Sequence, residues 1–166
     1  MNMERLCGFL ERNKRCRNKF LRGFTRKLMK TISIAEVEYV AYSLARELMK
    51  WNEPIPDFET RFPNKLEGCL AAPFQTFNKK PLYRGLVERS AILFYLMVKN
   101  HPFQNGNKRI AMVTLLYFLR KNGKWIQVDQ QELYNFAKWV AESNSKLKNE
   151  TVLAIQKFLS SYLVHI

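Results

Sequence analysis

Glycine and proline are scarce in this chain, six of each in 166 residues. So few turn-formers argue against a fold of many short strands and favour helices. Histidine is scarcer still: one of the two, His165, is next to last, which leaves His101 alone in the interior of the sequence. The three cysteines, Cys7, Cys16 and Cys69, are odd in number and form no C-x-x-C pair. That excludes a disulfide framework, predicts reduced thiols, and with one internal histidine leaves no ordinary zinc ligand set. No apolar run approaches the ~18 residues of a membrane span, and the first residues contain no uninterrupted apolar segment of the signal-peptide kind. A cytoplasmic protein without a membrane partner is the expectation. Acidic residues are also few, 14 against 28 Lys and Arg, for a net charge of +14.

What is present is apolar. Hydrophobic residues make up 47% of the chain and include twelve Phe, enough for one well-buried core in a domain of this length. The positive charge is uneven. Residues 1–30 hold ten Lys and Arg against Glu4 and Glu11, a net +8 of the +14. Leu6, Phe9, Leu10, Phe20, Leu21, Phe24 and Leu28 are interleaved at spacings that suit an amphipathic helix, and Gly8 and Gly23 weaken it. Two readings of this basic extension stay open, a solvated segment and an arm that docks an acidic partner. Residues 31–166 then form the folded domain.

Within that domain, Ser33 with Glu36 makes a capping box, opening a helix to about Lys50 with Ile34, Val37, Val40, Ala41, Leu44, Ala45 and Leu48 inward. Pro54, Pro56 and Pro63 mark a loop over 52–63. A short helix follows from Leu66 to Ala72, then a hairpin-like loop from Phe74 to Tyr83. Leu86–Asn100 and Gly106–Asn122 read as a central pair of buried helices, the second apolar nearly all round, with Gly123 at its C′ position. Trp125 to Val128 is extended. Asp129 and Glu132 suggest a second capping box, for a helix from about Gln130 to Glu142. After a polar loop over 143–148, Asn149 is expected to cap a last helix with Val152, Leu153, Ile155, Phe158 and Leu159 inward. The fold class is therefore all-α, a bundle around a buried helix pair.

The segment joining that pair is His101-Pro102-Phe103-Gln104-Asn105-Gly106-Asn107-Lys108-Arg109. Pro102 breaks the first helix. Asn105-Gly106 supplies a turn or a cap for the second. The unpaired backbone N–H groups of the second helix then face the loop with Lys108 and Arg109 beside them, an arrangement suited to phosphate. Two cations in a first turn are disfavoured by the helix dipole, which argues for a compensating anion. An imidazole titrating near pH 6.5 can serve as a general base at neutral pH, and His101 lies across the same loop.

These nine residues resemble the signature of the Fic/Doc family, H-P-F-x-[D/E]-G-N-[G/K]-R, at eight positions of nine, and Lys at the eighth is similar to the death-on-curing (Doc) branch. The flanks are similar too: Leu66 to Pro73, Phe77 to Tyr83, Glu88-Arg89-Ser90-Ala91 and Asn100 before the signature, and Phe118 to Gly123 after it. The resemblance covers about Ile32 to Tyr162. It implies a Fido-type helical bundle and an ATP-dependent transferase that modifies a protein hydroxyl. His101 would be the general base and Phe103 the anchor of the loop. Gly106, Asn107, Lys108 and Arg109 would hold the nucleotide's phosphates, Arg109 sharing in catalysis. Thr76, Phe77, Asn78 and Lys79 would belong to the flap on which an extended segment of the target docks. In Fic-type members the eighth position is usually Gly and AMP is transferred. Lys there goes with the Doc-like orientation of ATP and transfer of phosphate, so Lys108 favours phosphoryl transfer, with AMP transfer the alternative.

Asn105 departs from the pattern. The family's Asp or Glu at this position holds Mg²⁺, which prefers one or two carboxylates beside phosphates and water. A neutral amide is a poorer ligand. Three outcomes stay open: a metal held largely by ATP itself, a weak enzyme, or a module that binds without turnover. The family's inhibitory pattern, [S/T]-x-x-x-E-[G/N], is also missing: the only Glu followed by Gly or Asn is Glu67, and Pro63 stands four residues before it. The resemblance therefore implies a separate inhibitor, and an acidic antitoxin on this basic chain would make the protein the toxin of a pair. The competing expectation is an inactive Fido-fold module that binds an acidic protein or nucleic acid through its basic surface. Nucleic acid ranks second, because no common recognition motif is present.

Overall fold

The structure is a computed structural model that describes residues 29–48 and 55–166. Residues 1–28 of the expected basic amphipathic extension, and the end of the first helix at Lys50, lie outside these residues. So do the side chains of Val40, Ala41 and Leu48. Among the described residues there are six helices and two small antiparallel strand pairs, so the all-α expectation holds. Helix α1 covers residues 34–48, α2 is Pro63–Ala71, α3 Leu86–Lys99, α4 Asn107–Lys121, α5 Gln130–Glu142 and α6 Lys148–Tyr162. The strands are β1 (Thr76–Phe77), β2 (Lys80–Pro81), β3 (Lys124–Ile126) and β4 (Leu163–His165).

Helices α3 and α4 form the centre. α3 packs on α4, α5 and α6, and α4 packs on α1, α5 and β3. Ile92, Phe94 and Met97 of α3 and Ile110, Met112, Leu115, Leu116, Phe118 and Leu119 of α4 are fully buried. A helix apolar on nearly every side can be placed only inside such a bundle.

The predicted capping box at Ser33 forms: Glu36 N–H donates to Ser33 Oγ at 3.3 Å, and Ser33 N–H donates to the Glu36 carboxylate at 2.9 Å. The same carboxylate accepts from Tyr117 Oη at 3.0 Å and from Lys121 Nζ, tying α1 to the end of α4. Partial burial works against the charge on Glu36. The hydrogen bonds from Lys121, the Ser33 N–H and Tyr117 outweigh it and hold the carboxyl below its ordinary range. The chain enters at the same end, where Asn122 bonds both the N–H and the C=O of Lys30.

α1 contains one irregularity that composition did not announce. Residues Val37–Tyr42 are a π-helix between two α-helical segments, and Tyr42, at its end, reaches over the loop that precedes α4. Four expectations need correction. Pro63 does not close a loop; it opens α2 as its first residue, where a missing N–H costs nothing. Asp129 caps α5 by accepting from the N–H groups of Gln131 and Glu132, but Glu132 does not reciprocate, because its carboxylate takes the Tyr162 hydroxyl. Asn149 is inside α6; a 3₁₀ turn at Ser145–Leu147, capped by Asn144, starts the segment earlier. Leu153 is 54% exposed, one residue off the stripe that Val152, Ile155 and Leu159 bury. The C-terminal strand was not foreseen. β4 pairs with β3 in the register Lys124 with His165, Trp125 with Val164 and Ile126 with Leu163.

Candidate functional site

The nine residues from His101 to Arg109 fold into one closed loop and the first turn of α4. Asn100 ends α3, its N–H bonded to Leu96 O at 2.9 Å. The break comes not through the extended backbone usual before proline but through a left-handed residue, His101 at φ +46°. Left-handed backbone in a residue other than glycine is uncommon and concentrates at functional turns. The imidazole is exposed.

The next two residues turn inward. Pro102 is buried, and its C=O accepts the Phe62 N–H at 2.9 Å. Phe103 is buried between Tyr42 and Phe58, with ring centroids 6.3 and 5.9 Å away. What closes the loop is Asn107. Its Oδ1 accepts the Phe103 N–H at 2.9 Å and its Nδ2 donates to the Phe103 C=O at 2.7 Å. The side chain of Asn107 thus clasps the loop, leaving only its backbone to face a ligand. His101 is two residues from this clasp, which holds its backbone within about 8 Å of Phe103 by chain length alone.

Gly106 is the N-cap of α4 at φ +75°, and no side chain caps the turn. The first intrahelical bond is Ile110 N–H to Gly106 O at 3.0 Å. A glycine cap has no side chain with which to satisfy the N–H groups of the first turn. No acidic residue stands in that turn. Lys108 is half-buried and Arg109 is buried, 7% exposed. The amino end of α4 is therefore positive through its dipole and through both side chains.

Asn105 offers magnesium only a neutral amide oxygen. Its Oδ1 accepts the Gly106 N–H at 2.6 Å, so that oxygen takes part in forming the turn. The loop itself contains no carboxylate, and among the described residues no group of three or more His, Cys, Asp or Glu could hold a metal ion.

The sequence reading missed a strap. Residues 55–62, expected as plain loop, touch the signature at both ends. Ile55 occupies the space where a side chain on Gly106 would be, Phe58 packs on Phe103, and Phe62 bonds Pro102. Tyr42 Oη donates to Pro56 O and fixes the strap from above. Ile55, Phe58 and Phe62 were the available signal, three large apolar residues in a stretch otherwise read only for its prolines.

The flap forms as β1 and β2, joined by Asn78 and Lys79, both at positive φ as a two-residue hairpin of the I′ kind requires. Thr76, Phe77, Asn78 and Lys79 are all exposed. Phe77 faces Lys80, and Leu82 N–H donates to Gln75 O at 3.0 Å. Thr76 and Pro81 therefore turn their backbone groups outward. Pro81 has no N–H, which leaves the Thr76 edge as the one offering both donor and acceptor.

No curated protein matches the chain. The model of the Fic/DOC family matches residues 32–119, more than half of the chain, from the start of α1 through most of α4. The chain belongs to the Fic/DOC family.

Proposed function

We propose that this protein is a Doc-like transferase that moves phosphate from ATP to a protein hydroxyl in the cytoplasm, as the toxin of a toxin–antitoxin pair. The observation that carries the reading is the glycine-capped amino end of α4, bare of side-chain caps and of acidic residues, with an exposed histidine on the loop that leads into it. The backbone of Asn107 and the side chains of Lys108 and Arg109 hold the phosphates, and Gly106, whose own N–H goes to Asn105 Oδ1, shapes the turn. His101 takes the proton from the target hydroxyl, whose oxygen attacks the γ phosphorus while the bond to the β–γ bridging oxygen breaks and ADP leaves. Positioning and charge neutralisation supply most of the catalysis. The target segment adds a strand to the Thr76 edge of the flap. Any magnesium arrives on the nucleotide's own phosphates. The net charge of +14 suits an acidic antitoxin.

The test is incubation with cell lysate and ATP labelled at the α or the γ phosphate. Label from γ is the expected result. Label from α would make the reaction AMP transfer. Transfer that persists in His101→Ala would overturn the role given to His101.

The Asn105 turn favours a second reading, a Fido-fold module that binds nucleotide or an acidic partner without turnover. It requires that neither label transfers. Transfer gained in Asn105→Asp would identify an attenuated enzyme instead.

A further inference from the structure

The strap over the signature loop leaves one charged group unsatisfied. Arg61 follows the 3₁₀ turn Phe58–Thr60, and its neighbour Phe62 donates its N–H to Pro102 O, one residue from His101. Its guanidinium carbon sits 4.3 Å from the centroid of Phe58, the ring that packs on Phe103. Nη1 makes two long contacts, 3.3 Å to Phe58 O and 3.4 Å to Glu59 Oε2. Glu59 is 84% exposed, so water screens that pairing. Nε is buried without a hydrogen-bond partner. Only 20% of the side chain reaches solvent. A guanidinium so withdrawn from water, held flat by a ring and a carbonyl, and paired with one long, water-screened carboxylate is only partly neutralised. Its free edge is a rigid donor fork of the shape that oxyanions fit.

We propose that Arg61 is an oxyanion-binding residue of the His101 loop, taking a phosphate oxygen of the molecule held at the amino end of α4. The proposal rests on the nucleotide reading above and adds a cation outside the nine-residue signature. Residues 55–62 bring it there: Ile55 lies on Gly106 and Phe62 is bonded to Pro102, so Arg61 is carried beside the loop by contacts at both of its ends. The phosphate meets the accessible Nη edge, and its charge offsets the cost of the buried Nε.

The test measures binding of ATP and of inorganic tripolyphosphate to the full chain by calorimetry at about 0.15 M salt, where the Debye length is near 8 Å. The variants are Arg61→Ala, Arg61→Gln and Arg61→Lys, with Lys157→Ala on the exposed face of α6 as a control for general charge. Arg61→Gln keeps a flat amide on Phe58 and serves where Arg61→Ala lowers the unfolding midpoint. Hydrogen bonds to charged groups are typically worth about 1.5–3 kcal/mol, so loss of the fork weakens both ligands roughly ten- to a hundredfold. Arg61→Lys recovers only part of the loss, and Lys157→Ala changes binding by less than about twofold. Equal binding by wild type and Arg61→Gln would overturn the proposal and leave the nucleotide reading standing. A loss in Lys157→Ala as large as that in Arg61→Gln would also overturn it. Tripolyphosphate binding that depends on Arg61, without ATP binding, would keep the oxyanion residue and remove the nucleotide reading. A wild type that binds neither ligand would remove both.

Discussion

Gly106→Ala tests the turn that holds the candidate site, and its cost divides into two parts. The first is backbone. At φ +75° an L-residue costs roughly 1–2 kcal/mol relative to glycine. The second is steric. A Cβ at this position would stand 2.7 Å from Ile55 Cγ1 and 3.1 Å from Cδ1, and Ile55 is itself buried. Forcing a methyl into a packed site costs about 1–3 kcal/mol. The sum is about 2–5 kcal/mol, a large share of the ~5–15 kcal/mol that a domain has. Gly123 separates the parts: at φ +76° with no atom within 4 Å, Gly123→Ala carries only the backbone cost. Urea unfolding followed by tryptophan fluorescence should place Gly106→Ala about 1–3 kcal/mol below Gly123→Ala. In an Ile55→Ala background, itself costing about 2–5 kcal/mol, the difference between the two glycine variants should vanish. A Gly106→Ala protein as stable as Gly123→Ala, or an excess cost that survives removal of the Ile55 side chain, would refute the packing of the strap on the α4 turn.

Three further outcomes follow from contacts in the same region and at the far end of α4. Asn107→Ala should lose about 2–3 kcal/mol in the same unfolding assay, since both hydrogen bonds of the clasp go and a buried N–H and C=O of Phe103 lose their partner; a loss below about 0.5 kcal/mol would mean that the loop is held otherwise. Glu36, with its folded pKa below the unfolded value of 4.5, contributes stability that is complete above about pH 4.5 and fades as pH falls through the folded value. Glu36→Gln should therefore flatten the acid arm of the stability profile, and an unchanged arm would place the linked proton elsewhere. Burial pushes the Cys69 thiol up to about 11, against a small opposing effect of the Asn100 amide, so about one molecule in a thousand is thiolate at pH 8. Iodoacetamide should modify Cys69 only after unfolding, read by peptide mass; rapid labelling of the native protein would contradict its burial.

The helices were legible because their signals are local. Ser33 and Glu36, Asp129, the apolar faces of α3 and α4 and the glycine after Asn122 each act within one or two turns, and each marked its element within a few residues. Pro63 misled because the same ring that breaks a helix interior begins a helix well, and only the direction of the following chain decides between the two. The strand pair β3–β4 depends on contacts between residues about 40 apart in sequence, which no window of a few residues contains. The π-helix of α1 carries no composition of its own. Its consequence, Tyr42 placed over Phe103 and Pro56, depends on the strap, and the strap depends on the loop it covers.

The site divides along the same line. Which residues cluster was readable, because nine consecutive residues cannot move far apart. What each side chain touches was not. Asn107 was expected to offer its backbone to phosphate, and its side chain turned out to close the loop. Asn105 was expected to be a poor metal ligand, and its oxygen turned out to be engaged with the Gly106 N–H. That engagement sharpens the meaning of Asn105→Asp. A carboxylate has two oxygens with about four acceptor positions, so Asp can accept the Gly106 N–H with one oxygen and present the other to a cation. The turn then survives the substitution, and its charge beside a helix amino end is favourable. A change of activity in that variant consequently reports on the carboxylate rather than on a rearranged loop. The unfolding midpoint, equal to or above that of the parent, verifies this before any label is counted.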